Sequence, residues 1–183
     1  MSGVLCMVSD EPEQIVWQGR FVVAKTRGKW EYVSRARNIR AAVILAVEDG
    51  HVLLVEQFRV PLDRICIELP AGLIGDDDGG EDESAETAAG RELEEETGYR
   101  AARIETIGEF WSSPGMVSES FTLLRATGLT KVGLGGGTSG ENITVHRVAL
   151  AALEEFLATR RAMGNAIDVR LLTLLGPKIL EGC

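Results

Sequence analysis

Two apolar runs rich in β-branched residues, joined by an Asp-Gly pair, constrain the fold of this chain most strongly. The sequence from Arg40 to Phe58 reads RAAVILAVEDGHVLLVEQF, and the runs are divided at Glu48-Asp49-Gly50. Asp-Gly favours a tight hairpin turn, since both central residues of such a turn take positive φ. The segment is therefore predicted to be an antiparallel β-hairpin.

Strands and helices are mixed irregularly along the rest of the chain. A loop rich in glycine and aspartate precedes a helix predicted from Ser84 to Thr97, which Gly98 closes because glycine readily takes the left-handed conformation at a helix end. No regular βαβ repeat is present, so we expect a mixed α/β fold, with a mixed sheet sandwiched between helices. The other predicted elements are strands at Ile65–Leu69, Ala102–Trp111, Glu119–Ala126 and Asn142–Val148, a turn at Pro70-Ala71-Gly72, and helices at Leu150–Arg161 and Ala166–Leu175, the last beginning after Asn165 and stopping at Gly176-Pro177.

Residues 1–35 are predicted to form a separate N-terminal β unit, ahead of a main domain at 36–183. Val16–Ala24 and Trp30–Arg35 have the pattern of two strands, joined by a turn at Arg27-Gly28. An isolated hairpin is only marginally stable in water. We therefore expect this unit to dock, either on the main domain or on another subunit, and a homodimer is the expected assembly.

Acidic residues are concentrated in one part of the chain. The net charge is −9. Asp76–Glu96 holds 11 acidic residues and one basic residue, so the remainder, with 17 acidic and 18 basic residues, is close to neutral. A negative field repels phosphate backbones and anionic lipids, so neither nucleic acid nor a membrane is expected as a partner. Three scattered cysteines and the lack of a long apolar segment suit a cytoplasmic protein.

Three glutamates of the predicted helix share one face. With about 3.6 residues per turn, Glu92 lies beside Glu95 and Glu96, at i+3 and i+4. Like charges this close repel each other, and a divalent cation would convert that repulsion into binding. Carboxylate oxygens suit Mg²⁺ or Mn²⁺. The alternative is a solvated acidic helix face, which the spacing alone does not exclude.

The residues around these glutamates strengthen the metal-binding interpretation. Glu83 is followed, after seven residues, by the pattern RELxEExGY at residues 91–99. This pattern resembles the box of the Nudix hydrolases, whose fold is an α/β/α sandwich with a mixed sheet. One departure is that ten residues separate Gly72 from Glu83, where the family has a shorter spacer. The resemblance therefore assigns roles to the helix residues rather than to Glu83.

Other segments narrow the resemblance to the ADP-ribose pyrophosphatases. Glu56–Arg59 (EQFR) and Ile67–Ile74 (IELPAGLI) are similar to segments of that branch. Pro114 follows Tyr99 by 15 residues, a spacing associated with its members, and GNAIDVRLL near the C-terminus resembles their last helix. The implied activity is Mg²⁺-dependent hydrolysis of ADP-ribose, or of a close nucleoside diphosphate sugar, with AMP and ribose 5-phosphate as the products from ADP-ribose.

Residue by residue, the resemblance implies three groups of site residues. The metal ligands, for two or more Mg²⁺ ions with Mn²⁺ as a substitute, are Glu92, Glu95, Glu96 and the backbone carbonyl of Ala71. Glu141 orients or deprotonates the attacking water, and Glu95 and Glu96 complete the catalytic set. The implied substrate-binding residues are Phe21, Trp30, Glu31, Arg35, Arg59, Glu68, Pro114, Gly115 and Met116.

Alternatives remain for several of these roles. Phe21 and Trp30 have the chemistry to sandwich a purine, but the same rings at a hairpin serve equally to cover core. Gly135–Gly140 formally matches GxGxxG, yet it precedes a strand and Glu141 instead of opening a helix, so it is predicted to be a flexible active-site lid. For the whole chain, the alternatives are a Nudix pyrophosphatase for GDP-mannose or an oxidised nucleotide, a nucleotide-sugar sensor without catalysis, and a purely structural acidic domain.

Overall fold

The computed structural model describes residues 11–36, 39–75, 83–138 and 140–180, and within these ranges the chain forms two sheets and three α-helices. The strands are β1 (Gln14–Gln18), β2 (Val22–Arg27), β3 (Trp30–Arg35), β4 (Arg40–Glu48), β5 (His51–Arg59), β6 (Arg64–Glu68), β7 (Ala71–Ile74), β8 (Tyr99–Trp111), β9 (Ser120–Lys131), β10 (Thr144–Ala149) and β11 (Ala166–Ile167). The helices are α1 (Ala85–Thr97), α2 (Leu153–Ala162) and α3 (Leu172–Leu180), with 3-10 turns at Val60–Leu62, Leu150–Ala152 and Val169–Leu171. Among the described residues, no helix has the length and apolar character needed to cross a membrane.

The main sheet is mixed, which confirms the prediction. Its strand order is β11-β6-β5-β4-β9-β8, with β10 paired to β5 and β7 paired to β4. The pairs β4–β9 and β6–β11 are parallel, and the other pairs are antiparallel. The predicted hairpin is confirmed as well, since Asp49 and Gly50 join β4 to β5 with φ angles of 49° and 69°. These positive angles are the conformation that an Asp-Gly turn favours.

The sheet opens beyond this hairpin, because β4 and β5 pair beside their turn and then separate. β6 pairs with β5, placing Glu68 opposite Val55, whereas β7 pairs with β4, placing Ala71 opposite Val43. The chain crosses between them at Pro70, whose carbonyl accepts a hydrogen bond from the backbone of β4. The turn predicted over residues 70–72 is therefore wrong. Where β5 no longer pairs with β4, the backbone N–H and C=O groups of β4 need another partner, and β7 provides it.

Helices cover both faces of the main sheet. On one face, Leu93 of α1 packs in a buried cluster with Ile44. On the other face, Leu157 of α2 packs in a second buried cluster with Val43 and Leu54. Val43 and Ile44 are neighbours in β4 and point to opposite faces, as the two-residue period of a strand requires. The architecture is the predicted α/β/α sandwich.

The first helix begins and ends where the sequence predicts. The Ser84 hydroxyl accepts a hydrogen bond from the backbone N–H of Thr87 at 3.1 Å, which caps the first turn. Gly98 closes the helix with a φ of 71°. A Cβ at this position would lie 2.3 Å from the carbonyl oxygen of Gly133. Both the conformation and the close contact therefore require glycine here.

The N-terminal unit has three strands, which form an antiparallel sheet in the order β1-β2-β3. The single strand predicted over Val16–Ala24 is wrong, because the chain turns between β1 and β2. Gly19 makes this turn, and its backbone N–H donates to the Val22 carbonyl at 2.9 Å. A Cβ on Gly19 would lie 2.4 Å from the Trp17 ring, so glycine also lets that ring fold back over the turn. The predicted turn between β2 and β3 is present, with Gly28 at positive φ.

The third strand lies against the main domain of the same chain. The backbone N–H of Val33 donates to the Met116 carbonyl, and the N–H of Ser118 donates to the Val33 carbonyl, both at 3.0 Å. The hydroxyl groups of Ser34 and Ser118 are 2.7 Å apart. These contacts bring the end of β3, and with it Arg35, to the region where the main sheet opens.

The helix predicted over Ala166–Leu175 is wrong in its first half. Residues 166–167 form β11, parallel to β6, and the Asp168 N–H extends the pairing with a 3.0 Å bond to the Ile67 carbonyl. The unpaired edge of β6 accepts this segment, so tertiary pairing overrides local helix propensity. A stop was predicted at Gly176-Pro177, yet α3 continues to residue 180. One proline removes a single helix hydrogen bond, and here that loss does not end the helix.

Candidate active site

A cleft of about 620 Å³ is lined by residues from the open part of the main sheet, α1, the loop before β10 and the segment after β11. The fold thus brings together residues that are far apart in sequence. Seven of the predicted site residues line this cleft: Arg35, Arg59, Glu68, Ala71, Glu92, Glu96 and Glu141.

The other seven predicted site residues do not line this cleft. Glu95 lies on a more exposed side of α1, 3.8 Å from Arg91. The rings of Phe21 and Trp30 lie on the N-terminal unit and are 59% and 58% exposed. Glu31 and Met116 line a separate cavity of about 320 Å³ beside the N-terminal sheet. Also outside the cleft lining, on the exposed loop after β8, are Pro114 and Gly115.

Glu96 is the most deeply buried carboxylate of α1, with an exposed fraction of 5%. Its Oε2 accepts a hydrogen bond from the backbone N–H of Ala71 at 3.0 Å. Burial, together with the negative charges of Glu92 and Glu141, raises the pKa of Glu96 to about 8, although the Ala71 bond and the charge of Arg59 act in the opposite direction. The ionised carboxylate is thus unfavourable here until a cation compensates it.

Glu92 lies directly over the backbone of Gly72. A Cβ added to Gly72 would be 1.9 Å from the Cδ of Glu92, so only glycine leaves room for this carboxylate. Nη1 of Arg91 donates to Oε1 of Glu92 at 2.8 Å. Nη2 of Arg91 also reaches the Leu73 carbonyl at 3.3 Å and Glu83 at 3.5 Å. Despite the longer loop, Glu83 therefore contacts the arginine that holds Glu92.

The glycine-rich loop before β10 is anchored to the C-terminal end of α1. The backbone N–H groups of Gly136 and Gly137 donate to the carbonyls of Glu96 and Glu95, at 2.8 and 3.1 Å. These bonds satisfy carbonyls that a helix end leaves without a partner inside the helix. A Cβ on Gly137 would lie 2.4 Å from Oε2 of Glu141, so the loop packs tightly on that carboxylate. The same Oε2 accepts from the Thr138 N–H at 2.7 Å, which fixes Glu141 near Glu96.

Arginines supply positive charge to the same cleft. Nε and Nη2 of Arg59 donate to the two carboxylate oxygens of Glu68 at 2.6 and 2.8 Å, and Glu68 is 3% exposed. At the mouth of the cleft, Arg35 of β3 pairs with Glu119. These pairs hold guanidinium groups in place, and such groups suit anionic oxygens because they offer several donors in one plane.

Sequence reasoning missed Asp168 and Arg170 as cleft residues. Both line the cleft, and Nη2 of Arg170 lies 3.5 Å from Glu68. Burial would raise the pKa of Asp168, but the hydrogen bonds and charge of Arg170 hold it below its ordinary value. The sequence signal for them is an acidic and a basic residue two positions apart in the segment GNAIDVRLL. The prediction of a helix over this segment gave no reason to place the two side chains in a cleft.

Cysteine chemistry does not fit this cleft. Cys66 lines it and is a free, buried thiol. Burial raises the pKa of the Cys66 thiol to about 12, so the thiolate needed for nucleophilic attack is not formed at neutral pH.

The chemistry of the glutamates suits a divalent metal ion. Glu92, Glu96 and Glu141 and the backbone of Ala71 offer hard oxygen donors along one cleft, as Mg²⁺ and Mn²⁺ prefer. A cation would also relieve the charge repulsion that raises the pKa of Glu96. As the described side chains stand, no three acidic, histidine or cysteine residues are grouped closely enough to hold an ion.

Comparison with known proteins identifies the family of the chain. The chain is 36% identical over 157 residues to an uncharacterised Nudix hydrolase of Schizosaccharomyces pombe, a match that covers 79% of this chain and 74% of that protein. It is 42% identical over 78 residues to the ADP-ribose pyrophosphatase of Bacillus subtilis, which covers 43% of this chain and 40% of that protein, so less than half of that relative is matched. The crystal structure of an ADP compounds hydrolase has the same fold, with a TM-score of 0.67, 22% identity and coverage of 93% of this chain and 92% of that one. The model of the NUDIX domain family matches residues 36–169, well over half of the sequence. The chain therefore belongs to the Nudix hydrolase family.

Proposed function

We propose that this Nudix hydrolase cleaves the pyrophosphate bond of ADP-ribose, or of a close nucleoside diphosphate sugar, and that ADP-ribose yields AMP and ribose 5-phosphate. The observation that carries the proposal is a single cleft containing both the glutamates of α1 and the guanidinium group of Arg59. A pyrophosphate is anionic, so arginine binds it directly, whereas glutamates bind it through a cation. The similarity to the Bacillus subtilis ADP-ribose pyrophosphatase supports this substrate class.

Nudix hydrolases generally require a divalent metal. We assign Mg²⁺, as two or more ions, to Glu92 and Glu96, with Glu95 and the carbonyl of Ala71 as further donors, and Mn²⁺ as a substitute. When bound, the metal supplies Lewis-acid chemistry at the pyrophosphate. Arg91 keeps Glu92 in place through the 2.8 Å bond described above.

Glu141 and Arg59 carry the remaining roles in this proposal. Arg59 binds a phosphate oxygen and holds the pyrophosphate in the cleft. Glu141 orients a water molecule and accepts its proton while the water oxygen bonds to phosphorus and the bridging P–O bond breaks. The leaving phosphate takes the bonding electron pair. The Thr138 N–H bond to Glu141 supports this role, because it orients the carboxylate beside Glu96.

We assign the nucleoside end of the substrate to the N-terminal unit. The exposed rings of Phe21 and Trp30 are available to stack on a purine. Glu31 and Met116 line one cavity beside the N-terminal sheet, and Pro114 and Gly115 directly precede Met116 in the chain. Arg35, which lies at the end of β3 and lines the cleft, connects this nucleoside region with the pyrophosphate region.

A homodimer is the assembly we propose, with the N-terminal unit at its interface. Ile15, Trp17, Phe21 and Trp30 expose large apolar side chains on this small sheet. Several large apolar side chains exposed on one small sheet favour a protein–protein contact there. Size-exclusion chromatography with light scattering tests the assembly, and a monomeric mass would contradict it. A cytoplasmic location is proposed as well, since Cys66 is a free thiol.

The test of the function is AMP release from ADP-ribose with and without Mg²⁺. We expect turnover with Mg²⁺ and none in EDTA. Glu96→Gln should abolish turnover without changing the circular dichroism spectrum. Glu94→Gln is the matched control, because Glu94 lies on the same helix, pairs with the exposed Arg100 and does not line the cleft.

A substrate panel distinguishes the alternatives. GDP-mannose and an oxidised nucleotide are assayed in parallel with ADP-ribose. Faster turnover of either one would reassign the substrate within the family. Binding of ADP-ribose without turnover of any substrate would identify a sensor and contradict the proposed hydrolysis.

A further inference from the structure

Asp168 and Arg170 occupy the end of the cleft formed by the C-terminal segment, and the metal and water chemistry proposed above does not use them. The pairing of β11 with β6 places them there, since the Asp168 N–H donates to the Ile67 carbonyl at 3.0 Å. The Asp168 side chain then caps the following 3-10 turn by accepting from the Arg170 N–H at 2.8 Å. The turn is therefore held in register with Glu68, the last residue of β6.

The guanidinium group of Arg170 is held from three directions. Its Nε and Nη2 donate to the two oxygens of Asp168, both at 2.7 Å. Its Cζ lies 5.7 Å from the centre of the Phe121 ring. The same Nη2 also lies 3.5 Å from Oε2 of Glu68. A bidentate ion pair with a packed aromatic neighbour leaves this arginine little freedom to move toward a ligand itself.

Glu68 is the link between this arginine and Arg59. Its carboxylate is 3% exposed, and a carboxylate buried to this degree is paired with oppositely charged side chains. Arg59 binds it side-on through Nε and Nη2, which leaves Nη1 outside the pair. Arg59 is 40% exposed and lines the cleft, so Nη1 is the part of the group that is available to a ligand.

We propose that Arg170, fixed by Asp168, is a positioning residue that holds Glu68 so that Arg59 presents Nη1 to a phosphate oxygen of the substrate. This inference rests on the proposed function, because it concerns how the same cleft binds a pyrophosphate. Two arginines share one buried carboxylate: Arg59 bonds to both of its oxygens, and Arg170 adds a contact at Oε2. Without Arg170, the Glu68 carboxylate has one fewer contact to define its orientation. Because Arg59 is bonded to Glu68, the orientation of the Arg59 guanidinium group changes as well.

Steady-state kinetics with ADP-ribose and Mg²⁺ tests the positioning role. Arg170→Gln and Asp168→Asn should each raise KM by about tenfold, the size expected for losing one well-placed charge-assisted hydrogen bond. The kcat should change much less, and Arg170→Lys, which keeps the charge, should recover part of the lost affinity. Arg161→Gln is the matched control: it removes the same charge from an exposed position at the end of α2 and should leave KM unchanged.

A double-mutant cycle separates positioning from a general structural effect. If Arg170 acts through Arg59, Arg170→Gln should add little to the KM of Arg59→Gln. A purely structural role predicts instead a smaller active fraction and a lower Tm at unchanged KM. Either that result or fully additive effects of the two substitutions would overturn the inference.

Binding of inorganic pyrophosphate separates failure of this inference from failure of the proposed function. Calorimetry in EDTA compares the wild type with Arg170→Gln, and we expect about tenfold weaker binding by the variant. If the wild type does not hydrolyse ADP-ribose, the proposed function is wrong, and the pyrophosphate affinities still decide the role of Arg170. Equal affinities, or no binding by the wild type, would overturn it.

Discussion

Replacing Glu96 with glutamine should make the metal-free protein more stable at neutral and mildly alkaline pH while abolishing its hydrolytic activity. Glu96 is 5% exposed, and burial, with the nearby charges of Glu92 and Glu141, raises its pKa to about 8. Folding therefore penalises the ionised form of this side chain. Glutamine has nearly the same size, carries no charge and retains an oxygen to accept the Ala71 N–H bond.

The pH dependence follows from the sign of the pKa shift. The folded-state pKa lies above the ordinary value of 4.5, so between these two values the folded protein binds more protons than the unfolded chain. The protonated Glu96 carboxyl makes its full contribution to the free energy of unfolding below about pH 4.5, and this contribution is lost as the pH rises toward 8. At about 1.4 kcal/mol per unit, with saturation near the folded pKa, the loss between pH 5.5 and pH 8 is about 3 kcal/mol.

Urea unfolding in EDTA at pH 5.5 and pH 8 measures this difference. The free energy of unfolding of the wild type should fall between the two pH values by about 3 kcal/mol more than that of Glu96→Gln. The comparison isolates one group, because the other titratable residues are common to both proteins. Addition of Mg²⁺ at pH 8 should then stabilise the wild type more than Glu96→Gln, since the variant lacks one of the proposed carboxylate ligands.

Equal pH dependence in the wild type and Glu96→Gln would refute the reasoning, because it would mean that the folded protein ionises Glu96 without penalty. Glu94→Gln removes a charge from the same helix and should follow the wild type at both pH values, since Glu94 forms an exposed pair with Arg100. Full Mg²⁺-dependent activity in Glu96→Gln would refute the metal assignment separately.

Three further substitutions test other parts of the site and its support. Gly72→Ala places a Cβ 1.9 Å from the Cδ of Glu92. The rate of ADP-ribose hydrolysis should therefore fall at least tenfold, and the free energy of unfolding should fall by about 1–3 kcal/mol. Activity equal to that of the wild type would contradict the close packing. Glu141→Gln should lower kcat by about 10²–10⁴-fold in steady-state assays with no loss of Tm, and an unchanged kcat would remove Glu141 from the mechanism. Leu93→Ala should cost about 2–5 kcal/mol in urea unfolding, because Leu93 is fully buried between α1 and the sheet, and a loss under 1 kcal/mol would contradict that packing.

Features that depend on local conformation were predictable from the sequence. The Asp49-Gly50 hairpin and the helix between Ser84 and Gly98 are examples, because turn geometry and helix capping are set by a few adjacent residues. The clustering of glutamates on α1 was predictable for the same reason, since helical periodicity alone places Glu92 and Glu96 on one face.

Features that depend on pairing between distant segments were not predictable in this way. β11 forms only because β6 offers an unpaired edge, and no local pattern reports that edge. Arg170 reaches Glu68 across 102 positions of sequence, a contact that the parallel pairing of β11 with β6 creates. The N-terminal strand prediction is wrong for a smaller reason: Gln18, Gly19 and Arg20 separate two apolar stretches, and this short interruption contains the turn that Gly19 makes.

One short segment, residues 68–71, joins the two halves of the site, which contain Arg59 and Glu96 respectively. Glu68 ends β6 and holds Arg59, whereas Ala71 begins β7 and holds Glu96 through its N–H. Between them, the Pro70 carbonyl accepts a 2.8 Å hydrogen bond from the backbone of β4, which fixes the crossing in the sheet. The position of the Arg59 guanidinium relative to the buried Glu96 carboxylate therefore depends on the backbone geometry at residues 68–71. A change in this crossing alters both halves of the site together, whereas a change in α1 or in the C-terminal segment alters one.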